Sequence, residues 1–198
     1  EAWVKASIEF SKDIRLTEDD LKKWIALAPS FNAIGSEDEE DDFEKGFKDG
    51  KFSYDFMLKD ESFVKWAKEQ GLDRTQWLKR HIRISMFLMR EQGLKHIEMA
   101  SKQLPEQRKQ IEAMKSQVDE KTYAQMKSAF DAGAAALDQT KKLYTSIPEP
   151  TEPEAKLLKK HAAKLSEIME DDEGDDEGEF DDEDMDEDEP EDEEEDGM

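Results

Sequence analysis

The chain contains no cysteine, only three histidines and no long apolar run. The first absence rules out a disulfide framework, thiolate zinc or iron–sulfur centres and a cysteine nucleophile, while leaving the redox compartment open. The scarcity of histidine points the same way. His81, His96 and His161 lie too far apart for an i, i+4 metal pair, and none stands in a His-Glu-x-x-His arrangement, so each is expected to be a polar face or boundary residue. No Gly-x-Ser-x-Gly elbow, phosphate-cradling glycine loop or dinucleotide fingerprint occurs, and the expectation is a protein that is not an enzyme and holds no cofactor. No stretch approaches the ~18–20 apolar residues needed to span a bilayer. The most apolar segment is broken by Lys79, Arg80, His81, Arg83 and Arg90, so no membrane insertion is expected.

Lysine and arginine are missing altogether from Glu170 to Met198, where 22 of 29 residues are Asp or Glu. The whole chain has 29 bases against 53 acids, a formal charge of −24, so what precedes this segment is nearly neutral, with 31 acids against 29 bases. The segment's apolar residues are Phe180, Met185 and Met198, which leaves the preceding body about 39% apolar, enough for one core. The expected organisation is a helical domain over 1–169 followed by a disordered polyacidic tail over 170–198. A polyanion of this size repels phosphate, so no nucleic-acid partner is expected.

The tail holds one calcium candidate. Glu173, Asp175, Glu177, Gly178, Phe180 and Asp184 fall at positions 1, 3, 5, 6, 8 and 12 of an EF-hand-like loop that follows a helix. Glu at position 1, Asp at position 12 and the lack of an apolar exit helix depart from that pattern. In a segment this acidic such spacing arises by chance, so the expectation is weak, diffuse divalent-cation binding.

Helix signals dominate the body. Thr17 is a good N-cap, Glu18, Asp19 and Asp20 fill the first turn, and Leu21, Trp24, Ile25 and Ala28 form one face, with Pro29 expected to end or kink the helix. Asp60 or Ser62 caps a helix bearing Phe63, Val64, Trp66 and Ala67 that Gly71 stops. Asp73, with Gln76 three residues on, starts a helix that is apolar around most of its circumference from Trp77 to Met89, the mark of a buried central helix. Gly93 is expected to interrupt it and Pro105 to open a new helix. In the stretch after Asp119, Tyr123, Met126, Phe130, Gly133, Leu137, Thr140 and Tyr144 recur at spacings of three and four among many alanines, so residues 105–146 read as an antiparallel helical hairpin. A proline-rich linker follows, and Thr151 with Glu154 makes a capping box for a last helix carrying Leu157, Leu158, Leu165, Ile168 and Met169. The predicted fold class is all-α: an irregular helical bundle with a central buried helix and a long helical hairpin.

Three groups of residues invite a role. Phe43, Phe47, Phe52, Tyr54 and Phe56 crowd five aromatics around a Lys48-Asp49-Gly50-Lys51 turn signal, and they are the candidate partner-facing surface, although such density is common in cores. The run Phe52, Tyr54, Phe56 fits either a short extended stretch or a helical turn beginning after Ser53. Met86 and Met89 after His81 resemble soft copper ligands, against which stands the ordinary use of methionine as core filler. Between Arg74 and Lys109 nine bases face three acids, a locally basic stretch onto which the tail could fold loosely.

Leu16-Thr17-Glu18-Asp19-Asp20-Leu21-Lys22-Lys23-Trp24-Ile25, then Gly71-Leu72-Asp73-Arg74-Thr75-Gln76-Trp77, then Leu104 to Arg108 together resemble small exported helical proteins of Gram-negative bacteria. The resemblance spans about residues 14–169 and excludes the acidic tail. It implies an all-helical fold and an exported location, and carries over no activity and no functional residue. The start at Glu1 fits a removed secretory signal, so a periplasmic or secreted protein is expected, with a cytoplasmic one as the alternative. The functional expectation is a non-catalytic interaction or scaffold protein of the cell envelope with a protein partner. An acidic-tailed chaperone for basic proteins and a low-affinity calcium buffer are the competing classes.

Overall fold

A computed structural model describes residues 2–34 and 44–170. In chain order the elements are α1 (Ala2–Ser11), α2 (Glu18–Asn32), β1 (Phe47–Lys48), β2 (Lys51–Phe52), α3 (Asp55–Lys59), α4 (Glu61–Glu69), α5 (Arg74–Met114), α6 (Glu120–Ser146), α7 (Glu152–Lys160) and α8 (Ala162–Glu170). The protein is all-α, with one two-stranded hairpin among the described residues.

Local chemistry explains most boundaries. At the start of α2 the Thr17 hydroxyl accepts from the Asp20 N–H, and the Asp20 carboxylate accepts from the Thr17 N–H, a full capping box. Asp60, Asp73 and Asp119 cap α4, α5 and α6 by accepting from Phe63, Gln76 and Thr122 N–H. Pro29 does not end α2, which runs on to Asn32. Packing overrides the proline there: Phe31 is buried against Phe63, Trp66, Trp77 and His81, and that cluster holds the last turn in place. The aromatic stretch resolves into both expected forms in sequence. β1 and β2 pair antiparallel, Phe47 opposite Phe52, across Asp49 and Gly50, whose φ values of 52° and 72° are those of a tight primed turn; α3 begins two residues after Ser53.

The central helix differs from expectation in length. Helix α5 is continuous for 41 residues, through both Gly93 and Pro105. Gly93 is a packing position: a Cβ there would lie 2.4 Å from the ring of Tyr144, so glycine lets α6 approach α5 and interrupts nothing. Pro105 deprives the Ser101 carbonyl of its donor, and it does so where Ser101 is exposed, so the loss is cheaper than in a buried turn. The hairpin is therefore α5 with α6, not a separate unit starting at residue 105.

The core gathers Leu21, Trp24 and Ala28 of α2, Phe63 and Trp66 of α4, Leu158 and Leu165 of α7 and α8, and Ile147 after α6 around the first half of α5. There Trp77, Leu78, Ile82, Ile84, Met86, Phe87 and Leu88 are all buried, as the pattern of the central helix requires. Beyond Met89 the surroundings change. No described apolar residue between 90 and 142 belongs to that core or packs on it. Among the described residues, α5 beyond Arg90, which still reaches Ile147 and Glu149, packs mainly on α6, forming an antiparallel arm that extends ~36 Å from Arg90 to Met114 at 1.5 Å per residue. The arm buries little. Ile97 is enclosed, Leu104, Ile111, Met126, Phe130 and Leu137 are half-buried, and no residue of α6 is fully buried. Its contact line on α6 passes through Ala134, while Gly133 and Thr140, expected in the seam, are exposed.

Candidate interaction surfaces

The aromatic group is not one surface. Phe52 and Tyr54 are buried at 8% and 6% exposure, and the Tyr54 hydroxyl lies 2.6 Å from that of Ser7, which also donates to the Trp3 carbonyl. Both side chains therefore face the core and not a partner, because the hairpin folds them back under α1. Phe56 packs half-buried against the core, and Phe43 lies outside the described residues. Phe47 alone of the described four is open to solvent, at 41%.

The histidines are placed apart. His81 sits between Trp24 and Phe31, its Nδ1 accepting from the Trp24 indole N–H at 3.1 Å, so the proton of the neutral ring is on Nε2. Burial lowers its pKa to about 4, which keeps it uncharged at neutral pH. His161 contacts Glu18 at 3.0 Å, and His96 is exposed on the arm. Met86 is a core residue and Met89 packs against the core, so the pair serves as filling. Among the described residues no group of three or more His, Asp or Glu side chains is placed to hold a metal ion, and no helix is long and apolar enough to cross a membrane. Glu173, Asp175, Glu177 and Asp184 lie outside the described residues.

The basic stretch is largely consumed within the body. Along the first half of α5, Lys79 pairs with Asp13 at 2.7 Å, Arg80 with Asp20 at 2.6 Å, Arg83 with Glu154 at 2.8 Å and Arg90 with Glu149 at 2.7 Å. Arg74 donates to the Leu58 carbonyl. These bases clamp the segments around the central helix, and the locally basic stretch of the sequence does not form a bare cationic patch over its first half.

The most constrained of these ion pairs had no sequence signal beyond its cap. Glu154 is 1% exposed and accepts five hydrogen bonds: Nε and one Nη of Arg83, the Leu16 N–H, and both the N–H and hydroxyl of Thr151. Burial pushes its carboxyl up, but these donors outweigh burial and hold it at about 2. A second carboxylate, Glu18, receives Lys160 and His161 and is likewise lowered to about 2. Helices α7 and α8 are thus tied to α2 and α5 by charge as well as by Leu158 and Leu165.

The arm is the part of the molecule that its own packing leaves open. Gln107, Gln110, Ile111, Met114, Met126 and Phe130 line a shallow groove between its helices, and Met99 is 47% exposed. Over residues 90–142 ten bases face eight acids, so the arm has no strong field of either sign. Comparison with known protein families, with characterised proteins and with solved structures finds no match to the chain.

Proposed function

We propose that the chain is a non-catalytic interaction or scaffold protein and that the α5–α6 arm is the element it presents to protein partners. The observation that carries this is the arm's isolation. Among the described residues, two helices that pack mainly on each other for ~36 Å leave their apolar seams only half-buried, a poor use of 50 residues unless something else lies against them. The near neutrality of the arm favours a protein partner over nucleic acid. The resemblance of the segments at Leu16–Ile25 and Gly71–Trp77 to exported helical proteins supports a place in the cell envelope.

A second reading, an acidic-tailed chaperone for basic proteins, has its own support. The bases of the first half of α5 are already paired with body acids, which favours a separate basic client as the partner of the 22 acids after Met169. Affinity capture from a native lysate with the full chain, a version ending at Met169 and one with Met114→Lys and Gln110→Glu on the arm separates the readings. Partners lost only with the arm variant support the scaffold; partners lost only with the truncation support the chaperone; calcium uptake with no protein partner supports a buffer.

A further inference from the structure

One side of the arm carries no Lys, Arg, Asp or Glu, and His96 is the one titratable side chain on it. Along α5, Gln92, Met99, Gln103, Gln107, Gln110 and Met114 recur at spacings of three, four and seven and share one ridge, each exposed or half-buried. Along α6, Ala129, Gly133, Ala136 and Thr140 do the same, all exposed, and a side-chain carbon at Gly133 would meet nothing within 4 Å. In both helices the uncharged ridge lies on the same rotational side of the seam. For two antiparallel right-handed helices that places the ridges on one common face. The groove described above opens on it, since Gln107 and Gln110 of the ridge line it together with seam residues. In a chain that is 41% charged, a two-helix face without charge avoids the chief cost of burying an interface, the desolvation of ions.

We propose that this face is a homodimer interface: it takes the same face of a second copy, with the two arms antiparallel. The inference rests on reading the arm as an interaction element. Three features select a second copy in this orientation. The face is ~30 Å long and two helices, ~20 Å, wide, so it approaches the ~800 Å² per partner of a standard interface. The small strip on α6 is centred near Gly133 and Ala136, and the α5 ridge is centred near Gln103, opposite them in the hairpin. A two-fold axis across the arm at that level brings small strip onto small strip, where backbones can approach closely, and amide ridge onto amide ridge, where Gln side chains can donate and accept in turn. The third feature is charge. Helix α8 is held in the body by Leu165, so the acidic segment starts at the body end of the molecule. Antiparallel arms put the two bodies, and the points at which the acidic segments leave α8, at opposite ends, several ~8 Å Debye lengths apart, whereas parallel arms would set them side by side.

Sedimentation equilibrium of the full chain at physiological salt tests this, over concentrations spanning ~1–200 µM, where a modest interface dissociates. The expected mass rises from 22.9 kDa towards twice that value with concentration. Gly133→Leu and Ala136→Glu should each raise the dimer Kd at least tenfold. Helicity by circular dichroism should stay unchanged, because both positions are open within their own chain. A mass of 22.9 kDa at every concentration, or a dimer indifferent to both substitutions, overturns the proposal. If the chain is monomeric yet Ala136→Glu abolishes capture of a heterologous partner, the arm is an interaction element and only the second copy is wrong. If capture is also untouched, both readings fall.

Discussion

Arg83 and Glu154, 71 residues apart, form a two-pronged ion pair at 2.8 and 3.0 Å in which the carboxylate is all but sealed from solvent. The same carboxylate caps α7 through Thr151 and receives the Leu16 N–H ahead of α2, so one side chain fixes three segments on the central helix.

Removing one partner is therefore expected to cost far more than removing both. Glu154→Ala leaves Arg83 buried without its counter-charge and frees two backbone donors, and should destabilise the fold by about 3–5 kcal/mol in urea unfolding. Arg83→Met with Glu154→Leu should recover a substantial part of that loss. A double variant as unstable as the single one would show that the backbone contacts of Glu154, not its charge, carry the effect.

Acid should act on the fold at two levels. His81 is lowered to about 4 in the folded chain from its ordinary 6.5, so the unfolded state takes up its proton first. The corresponding stability is full above pH 6.5 and is lost as pH falls towards 4, a change of at most about 3 kcal/mol. His81→Phe should flatten the stability profile over that window. Glu154, lowered from 4.5 to about 2, contributes stability that is full above pH 4.5 and lost towards pH 2, so Glu154→Gln should remove a separate, more acidic limb. A profile whose pH 4–6.5 slope survives His81→Phe would contradict the placement of that ring.

Gly93→Ala should destabilise by about 1–3 kcal/mol although alanine is the better helix former, because the new methyl enters the ring of Tyr144, which is itself packed on the core. Tyr144→Ala in the same chain should reverse the sign of that substitution. A stabilising Gly93→Ala in the native chain would mean that α6 does not approach α5 as closely as described.

Ending the chain at Met169 should leave the thermal midpoint within about 2 °C, since every described core contact is made at or before Ile168. A large loss on truncation would show that the acidic segment docks on the body.

The helical fold was legible because its signals are local. Thr17, Asp60, Asp73 and Asp119 stand where caps are needed, and the run from Trp77 to Leu88 is too apolar for any place but the centre. Local rules misread Pro29, Gly93 and Pro105 because their roles are set by distant partners: Phe31 packs on α4 and α5, and Tyr144 lies on Gly93. Composition likewise could not tell that Phe52 and Tyr54 point inward, since that depends on the hairpin folding beneath α1 and on the hydroxyl of Ser7. The capping role of Glu154 was visible at a spacing of three residues; its pairing with Arg83 was not, for no periodicity links positions so far apart. The arm's heptad seam was apparent, but whether other helices would cover it was decided by where the core ends, at Met89.

The claim that the arm is the surface presented to other molecules is tested most directly by site-specific photo-crosslinking of the full chain in native lysate, with the reactive residue placed at Gln110, at Lys68 on the body and at Glu177 in the acidic segment. The account predicts strong protein adducts from Gln110, to a second copy or to another chain, and little from Lys68. Adducts confined to Glu177, with none from Gln110, would contradict it.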